Sequence, residues 1–124
     1  MNTEQVARRL VELCRAGEYD KAQEELYAPD AVSIEMEGAG GDGMPVRVEG
    51  MEAIREKGRK WAENLVGIHA QRVSEPVVAG DWFSVAMGID ATYKDRGRMP
   101  MEEICVYQVR GGRIVREQFF YSLG

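Results

Sequence analysis

Asp81-Trp82-Phe83-Ser84-Val85-Ala86-Met87-Gly88-Ile89-Asp90-Ala91-Thr92-Tyr93 is the stretch whose reading decides the fold. Phe83, Val85, Met87, Ile89, Ala91 and Tyr93 fall on one side of it, and Ser84, Ala86, Gly88, Asp90 and Thr92 on the other. A period of two marks a strand whose faces meet different surroundings. The pattern continues downstream: Lys94-Asp95-Arg96-Gly97-Arg98 reads as a turn and Met101–Val109 as a second strand. Gly111-Gly112 then accepts positive φ at both positions of a tight hairpin turn into a third strand, Arg113–Tyr121. Residues 81–122 are therefore predicted to form an antiparallel meander. On its second strand Met101, Glu103, Cys105, Tyr107 and Val109 share one face. Glu103 thus projects inward among apolar neighbours, where a carboxylate is costly unless a partner or a reaction uses it.

Upstream, the spacing of Val6, Leu10, Leu13 and Cys14 predicts an amphipathic helix ending at Gly17. A short second helix is expected from about Tyr19 to Tyr27, stopped by Pro29, followed by a strand over Asp30–Glu37. Gly38-Ala39-Gly40-Gly41-Asp42-Gly43 is dense in glycine and reads as a mobile loop, either a hairpin tip or a lid. It has no following Gly-Lys-Ser/Thr and so is no phosphate-binding loop. Val46 and Val48 suggest a short strand. A third helix is expected from Gly50 to about Val66, burying Ile54, Gly58, Trp61, Ala62 and Leu65. Ile68–Ala79 reads as a strand interrupted or bulged near Pro76, because proline cannot donate to a ladder.

The 124 residues are expected to form one domain, 1–124, with room for a real core. A net charge of −5, with both signs interspersed, argues against nucleic acid or an anionic membrane as partner. Cys14 and Cys105 lack metal-ligand spacing, and reduced thiols are expected. No secretory pattern opens the chain and no apolar run approaches a membrane span, so a cytoplasmic protein is expected. Helices followed by antiparallel strands define an α+β class: a cone of three helices in the N-terminal half packed on a curved, mainly antiparallel sheet, enclosing a pocket.

Tyr27-Ala28-Pro29-Asp30-Ala31 leading to Glu35, Gly50-Met51-Glu52-Ala53-Ile54-Arg55-Glu56, and Gly111-Gly112-Arg113-Ile114-Val115 together resemble the SnoaL-like, nuclear-transport-factor-like superfamily over roughly residues 5–122. That superfamily includes ketosteroid isomerases, polyketide cyclases, dehydratases and epoxide hydrolases as well as non-catalytic binding modules, so the resemblance specifies the fold more than the chemistry. It implies a small hydrophobic ligand of polyketide or steroid type and no organic cofactor. By this resemblance Glu35 falls where ketosteroid isomerases hold their proton-shuttling carboxylate, and Cys105 where they keep a protonated aspartate. Leu10 stands where they place a tyrosine, so their oxyanion hole is absent in its usual form.

From the residues themselves, Glu35, Glu103 and Glu117 project from different strands toward one cavity, with His69, Tyr107 and Tyr121 able to join them. Carboxylates gathered in a partly apolar space cannot all ionise cheaply, and a raised pKa suits general acid–base work near neutral pH. Glu35, Glu103 and His69 are the candidate catalytic residues; Trp61, Met87, Cys105, Tyr107, Glu117, Phe119 and Tyr121 are the candidate ligand contacts. Other readings stand beside these. Glu117 can instead pair with Arg113 or Arg116 at a surface, and Glu103 can be a buried carboxyl bonded to a tyrosine or to Lys57. Asp90 is expected outside the pocket unless Gly88 carries a bulge. No metal is expected, since no HExxH or HxH spacing is present. Trp82, Ile104, Val106 and Phe120 make the opposite sheet face too apolar for open water, which implies a homodimer through that face.

Overall fold

The computed structural model describes residues 1–37 and 45–122, and the reading of the glycine-rich segment 38–43 lies outside them. The elements are α1 (Thr3–Arg15), α2 (Tyr19–Leu26), β1 (Tyr27–Ile34), β2 (Arg47–Glu49), α3 (Met51–Glu63), β3 (Leu65–Val73), β4 (Val77–Ala79), β5 (Trp82–Tyr93), β6 (Gly97–Arg110) and β7 (Arg113–Tyr121). Strands run in the order β2-β1-β7-β6-β5-β3, with β4 paired to the start of β5. Only β1 and β7 run parallel; the remaining pairs are antiparallel. This is the expected α+β arrangement, three helices on an open, curved, mainly antiparallel sheet. No helix of the described residues is long and apolar enough to cross a membrane.

The meander forms in the expected phase. β5 and β6 pair without interruption from Trp82↔Gln108 to Tyr93↔Gly97. Phe83, Val85, Met87, Ala91 and Tyr93 are buried. Gly111 and Gly112 turn the chain with φ of 59° and 77°, and a Cβ at Gly112 would stand 2.8 Å from the Met1 carbonyl oxygen. The second strand begins earlier than read, at Gly97 rather than Met101. Its first residues extend beyond the end of β7, which pairs only from Glu103, so Pro100 sits at an open edge where proline is tolerated.

α1 supplies most of the helical core. Asn2 accepts from the Gln5 backbone N–H while the Gln5 side chain accepts from that of Asn2, a reciprocal cap that fixes where the helix starts. Val6, Ala7, Leu10, Val11, Leu13 and Cys14 are then buried. Larger side chains among these contribute roughly 1.5–3 kcal/mol each through burial. Beneath them the Phe83 and Tyr107 rings stack with centroids 4.8 Å apart.

Three boundaries differ from the sequence reading. Tyr27 leaves the second helix and opens β1, because the residues before Pro29 favour extended backbone; Tyr27 itself has ψ of 143°. α3 ends at Glu63 and buries only Ile54, with Trp61 half-buried and Gly58 and Ala62 exposed. It packs on β1 and β2 at one end of the sheet, so the second half of its apolar stripe meets no second layer. The expected strand at 68–79 divides into β3 and β4 around Ser74-Glu75-Pro76, as the proline implies. Ser74 maintains contact across the break by accepting the Ala86 N–H on Oγ at 2.8 Å.

Candidate acid–base site

Strand register places three carboxyls on the inward face of the sheet. Met87 on β5 pairs with Glu103 on β6, which pairs with Tyr121 on β7. The next inward rows are Val85, Cys105 and Phe119, and then Phe83, Tyr107 and Glu117. Glu117 in turn faces Ser33 on β1, and Glu35 lies two residues beyond Ser33, on the same side by strand alternation.

Each carboxyl has different partners. Glu117 is 5% exposed and accepts from the Tyr27 hydroxyl and, at 2.6 Å, from Ser33 Oγ. Burial raises its pKa against those two hydrogen bonds, and the same burial pushes the Tyr27 phenol well up. Glu117 is therefore an internal hydrogen-bonded carboxyl, and the surface pairing with Arg113 or Arg116 does not occur. Glu35 receives Lys57 Nζ at 2.6 Å on Oε1 and the Tyr121 hydroxyl at 2.9 Å on Oε2. Lys57 also donates to Ser33 Oγ at 2.9 Å and lies 5.1 Å from the centre of the Phe119 ring. A hydrogen-bonded line thus runs Tyr27–Glu117–Ser33–Lys57–Glu35–Tyr121.

Glu103 stands outside that line. Its one hydrogen-bond partner among the described residues is the Cys105 thiol, at 3.5 Å, a weak donor. Burial pushes its pKa up to about 7, the thiol contact lowers it, Glu35 and Glu117 raise it, and Lys57 lowers it. The reading that tied Glu103 to Lys57 by a hydrogen bond is replaced by the Lys57–Glu35 pair. Cys105 is fully buried, and burial with the neighbouring Glu103 drives its thiol far above the ordinary range, as burial drives Cys14 to about 12. Neither cysteine is poised as a nucleophile.

The remaining candidates separate. Met87 is buried beside Glu103, Phe119 and Tyr121 are half-buried in the same rows, and Tyr107 is fully packed under them on Phe83. Trp61 is half-buried on α3. His69 does not join the carboxyls: it is exposed, and its Nε2 lies 2.7 Å from Thr92 Oγ1 on the outer face. A register shift in β3 beside it, between Ile68 and Ala70, was not legible in the sequence. Asp90 also faces outward, held by Arg98 at 2.8 Å, and β5 has no bulge against β6 at Gly88. Tyr27, Ser33 and Lys57 were missed as site residues. Lys57 could have been found as the residue three beyond Ile54, on the helix face that turns inward.

Two surface clefts lie away from this cluster. One is bounded by Arg8, Arg15 and Pro76, the other by Gln23 of α2 and Arg55 and Gly58 of α3. The expected pocket over Glu103 is not formed by either of them. Among the described residues no three His, Cys, Asp or Glu side chains come together in a way that could hold a metal ion.

The fold and sequence have relatives. A protein from Mesorhizobium loti described as a SnoaL-like polyketide cyclase (carbohydrate phosphatase) is 34% identical, with a TM-score of 0.88 over 98% of this chain and 100% of its own. An NTF2-like protein of unknown function from Burkholderia pseudomallei is 15% identical with a TM-score of 0.80, covering 98% of this chain and 92% of that one. A Jannaschia protein described as a SnoaL-like polyketide cyclase is 15% identical with a TM-score of 0.74, over 96% and 84%. At these lower identities the likeness is one of fold. No curated protein matches the sequence. The SnoaL-like domain matches residues 1–121, and the chain belongs to the SnoaL-like family.

Proposed function

We propose that the protein is a cofactor-independent acid–base enzyme acting on a hydrophobic carbonyl compound of polyketide or steroid type, with Glu103 as the group that gives and takes the proton. The observation that carries this reading is the contrast between the three inward carboxyls. Glu117 is bonded by two hydroxyls and Glu35 by an ammonium and a phenol, whereas Glu103 has only a thiol and a pKa raised to about 7. Carboxyls held in such different surroundings are suited to different acid and base roles. In this reading the neutral Glu103 donates to the ligand carbonyl while the Glu35 carboxylate, held by Lys57, faces the acidic C–H. Glu35 takes the C–H proton to give the enol, then returns a proton to the other carbon while Glu103 takes back the one it gave, which restores both carboxyls; exchange of the Glu35 proton with water at the enol stage brings solvent hydrogen into the product. Met87, Phe119, Trp61 and Tyr121 supply the apolar and hydroxyl contacts of the ligand.

The test is deuterium incorporation at the α-carbon of hydrophobic β-diketones in D2O, followed by proton NMR, for the wild type and Glu103→Gln. One positioned acid or base is worth roughly 10²–10⁴ in rate. Wild-type exchange above buffer that falls by that factor in Glu103→Gln supports the proposal. Equal exchange in the two proteins sinks it and favours the alternative, a ligand-binding module whose satisfied Glu35–Lys57–Glu117 line serves recognition only.

We also propose that a second copy covers the outer sheet face. Trp82, Ile104 and Phe120 are 41%, 53% and 42% exposed there; Ile104 and Phe120 pair directly across β6 and β7, and Trp82 lies on the same face of β5, opposite Gln108. Arg116 Nε, on the same face, is buried without a hydrogen-bond partner among the described residues.

A further inference from the structure

Lys57 is the one cation with a hydrogen bond into the carboxyl cluster among the described residues, and its placement follows from α3. The helix buries Ile54 alone, and Lys57 lies three residues further on the same side, so the chain carries an ammonium inward where another apolar residue would stand. An ammonium can only donate. Ser33 Oγ therefore accepts from Lys57 at 2.9 Å and directs its own proton to Glu117, 2.6 Å away. The remaining strong contact of Lys57 is Glu35 at 2.6 Å.

We infer that Lys57 is a positioning residue that distributes charge among the three carboxyls: it pairs with Glu35, sets the direction of Ser33 toward Glu117, and leaves Glu103 as the carboxyl that exchanges a proton. The inference rests on the acid–base reading of Glu103. The groups that act on this cluster come from every element packed around it: Cys14 from α1, Tyr19 from α2, Tyr27 and Ser33 on β1 and Glu35 just after it, Lys57 from α3, Glu103, Cys105 and Tyr107 from β6, and Glu117 and Tyr121 from β7. Without the ammonium, the charge of Glu35 acts on Glu103 with no opposing cation from α3. Two such carboxyls release their protons in two coupled steps, the second at higher pH than when one is neutralised.

The experiment is a carboxyl-carbon NMR titration of glutamate-labelled protein, wild type against Lys57→Met and Lys57→Arg, with signals assigned through Glu35→Gln and Glu103→Gln. The Glu103 midpoint is expected to move up by about one pH unit in Lys57→Met, the usual effect of a nearby charge. Lys57→Arg, which keeps the cation, should return it toward the wild-type value. An unchanged Glu103 midpoint in a folded Lys57→Met overturns the inference. Should that variant fail to fold, the wild type decides alone: the Lys57 side-chain nitrogen signal must shift through the Glu103 midpoint, and a flat signal overturns the assignment. A wild-type Glu103 midpoint in the ordinary carboxylate range removes the acid–base reading itself. A midpoint near 7 that ignores Lys57 removes only the role of the lysine.

Discussion

Replacing Glu103 with glutamine should make the protein more stable at alkaline pH and leave it nearly unchanged in acid. The unfolded carboxyl titrates at its ordinary value of 4.5, and burial lifts the folded one to about 7. Below pH 4.5 the group is neutral in both states, and the amide replaces an acid of the same shape. Between the two values the folded state binds the proton more tightly than the unfolded state, so wild-type stability declines as pH rises through this window. Above pH 7 the folded wild type bears an ionised, mostly buried carboxylate. At about 1.4 kcal/mol per pH unit the full difference is roughly 3 kcal/mol, which the uncharged glutamine does not incur. For a domain of this size that corresponds to a melting temperature roughly 10 °C higher for Glu103→Gln at pH 8. Calorimetric melts of both proteins at half-unit steps from pH 4 to 8.5 give the curve directly. A difference that does not change with pH, or a mutant less stable than wild type at pH 8, would refute the reasoning and make Glu103 a structural hydrogen-bonding group.

Two further outcomes are expected. Gly58 lies inside α3 with ordinary helical φ, and a Cβ there meets nothing within 4 Å, so Gly58→Ala should stabilise the protein by about 0.5–1 kcal/mol; a lower urea midpoint would show that the space beside Gly58 is filled in solution. Val106→Lys, at the centre of the outer apolar face, should shift the mass measured by light scattering from dimer to monomer at micromolar concentration. A wild type that is already monomeric there removes the proposed interface.

The alternation of residues 83–93 and the paired glycines at 111–112 set the strand type, phase and turn of the meander before any contact was known, because a strand side chain can face only two ways. Once β5 was phased, the inward position of Glu103 followed; that of Glu117 depended on a register shift between β6 and β7 at Gln108 and Val109, which pairs Glu117 with Tyr107. The α1 stripe was equally legible, since a wide apolar face at helical spacing needs no partner to be recognised. Local pattern was insufficient where the chain met something distant. His69 turned outward beside a register shift between β3 and β5. Half of the apolar stripe of α3 stayed exposed because no layer packs over it. The division of labour among the carboxyls was likewise a tertiary matter. Three glutamates on strand faces look alike in sequence, and their charge states depend on distances of a few ångström to Tyr27, Ser33, Lys57 and Cys105, whose separations in the chain run as high as 90 residues. Patterning along the sequence specifies which way a side chain points, whereas desolvation and hydrogen bonding depend on what folding brings against it.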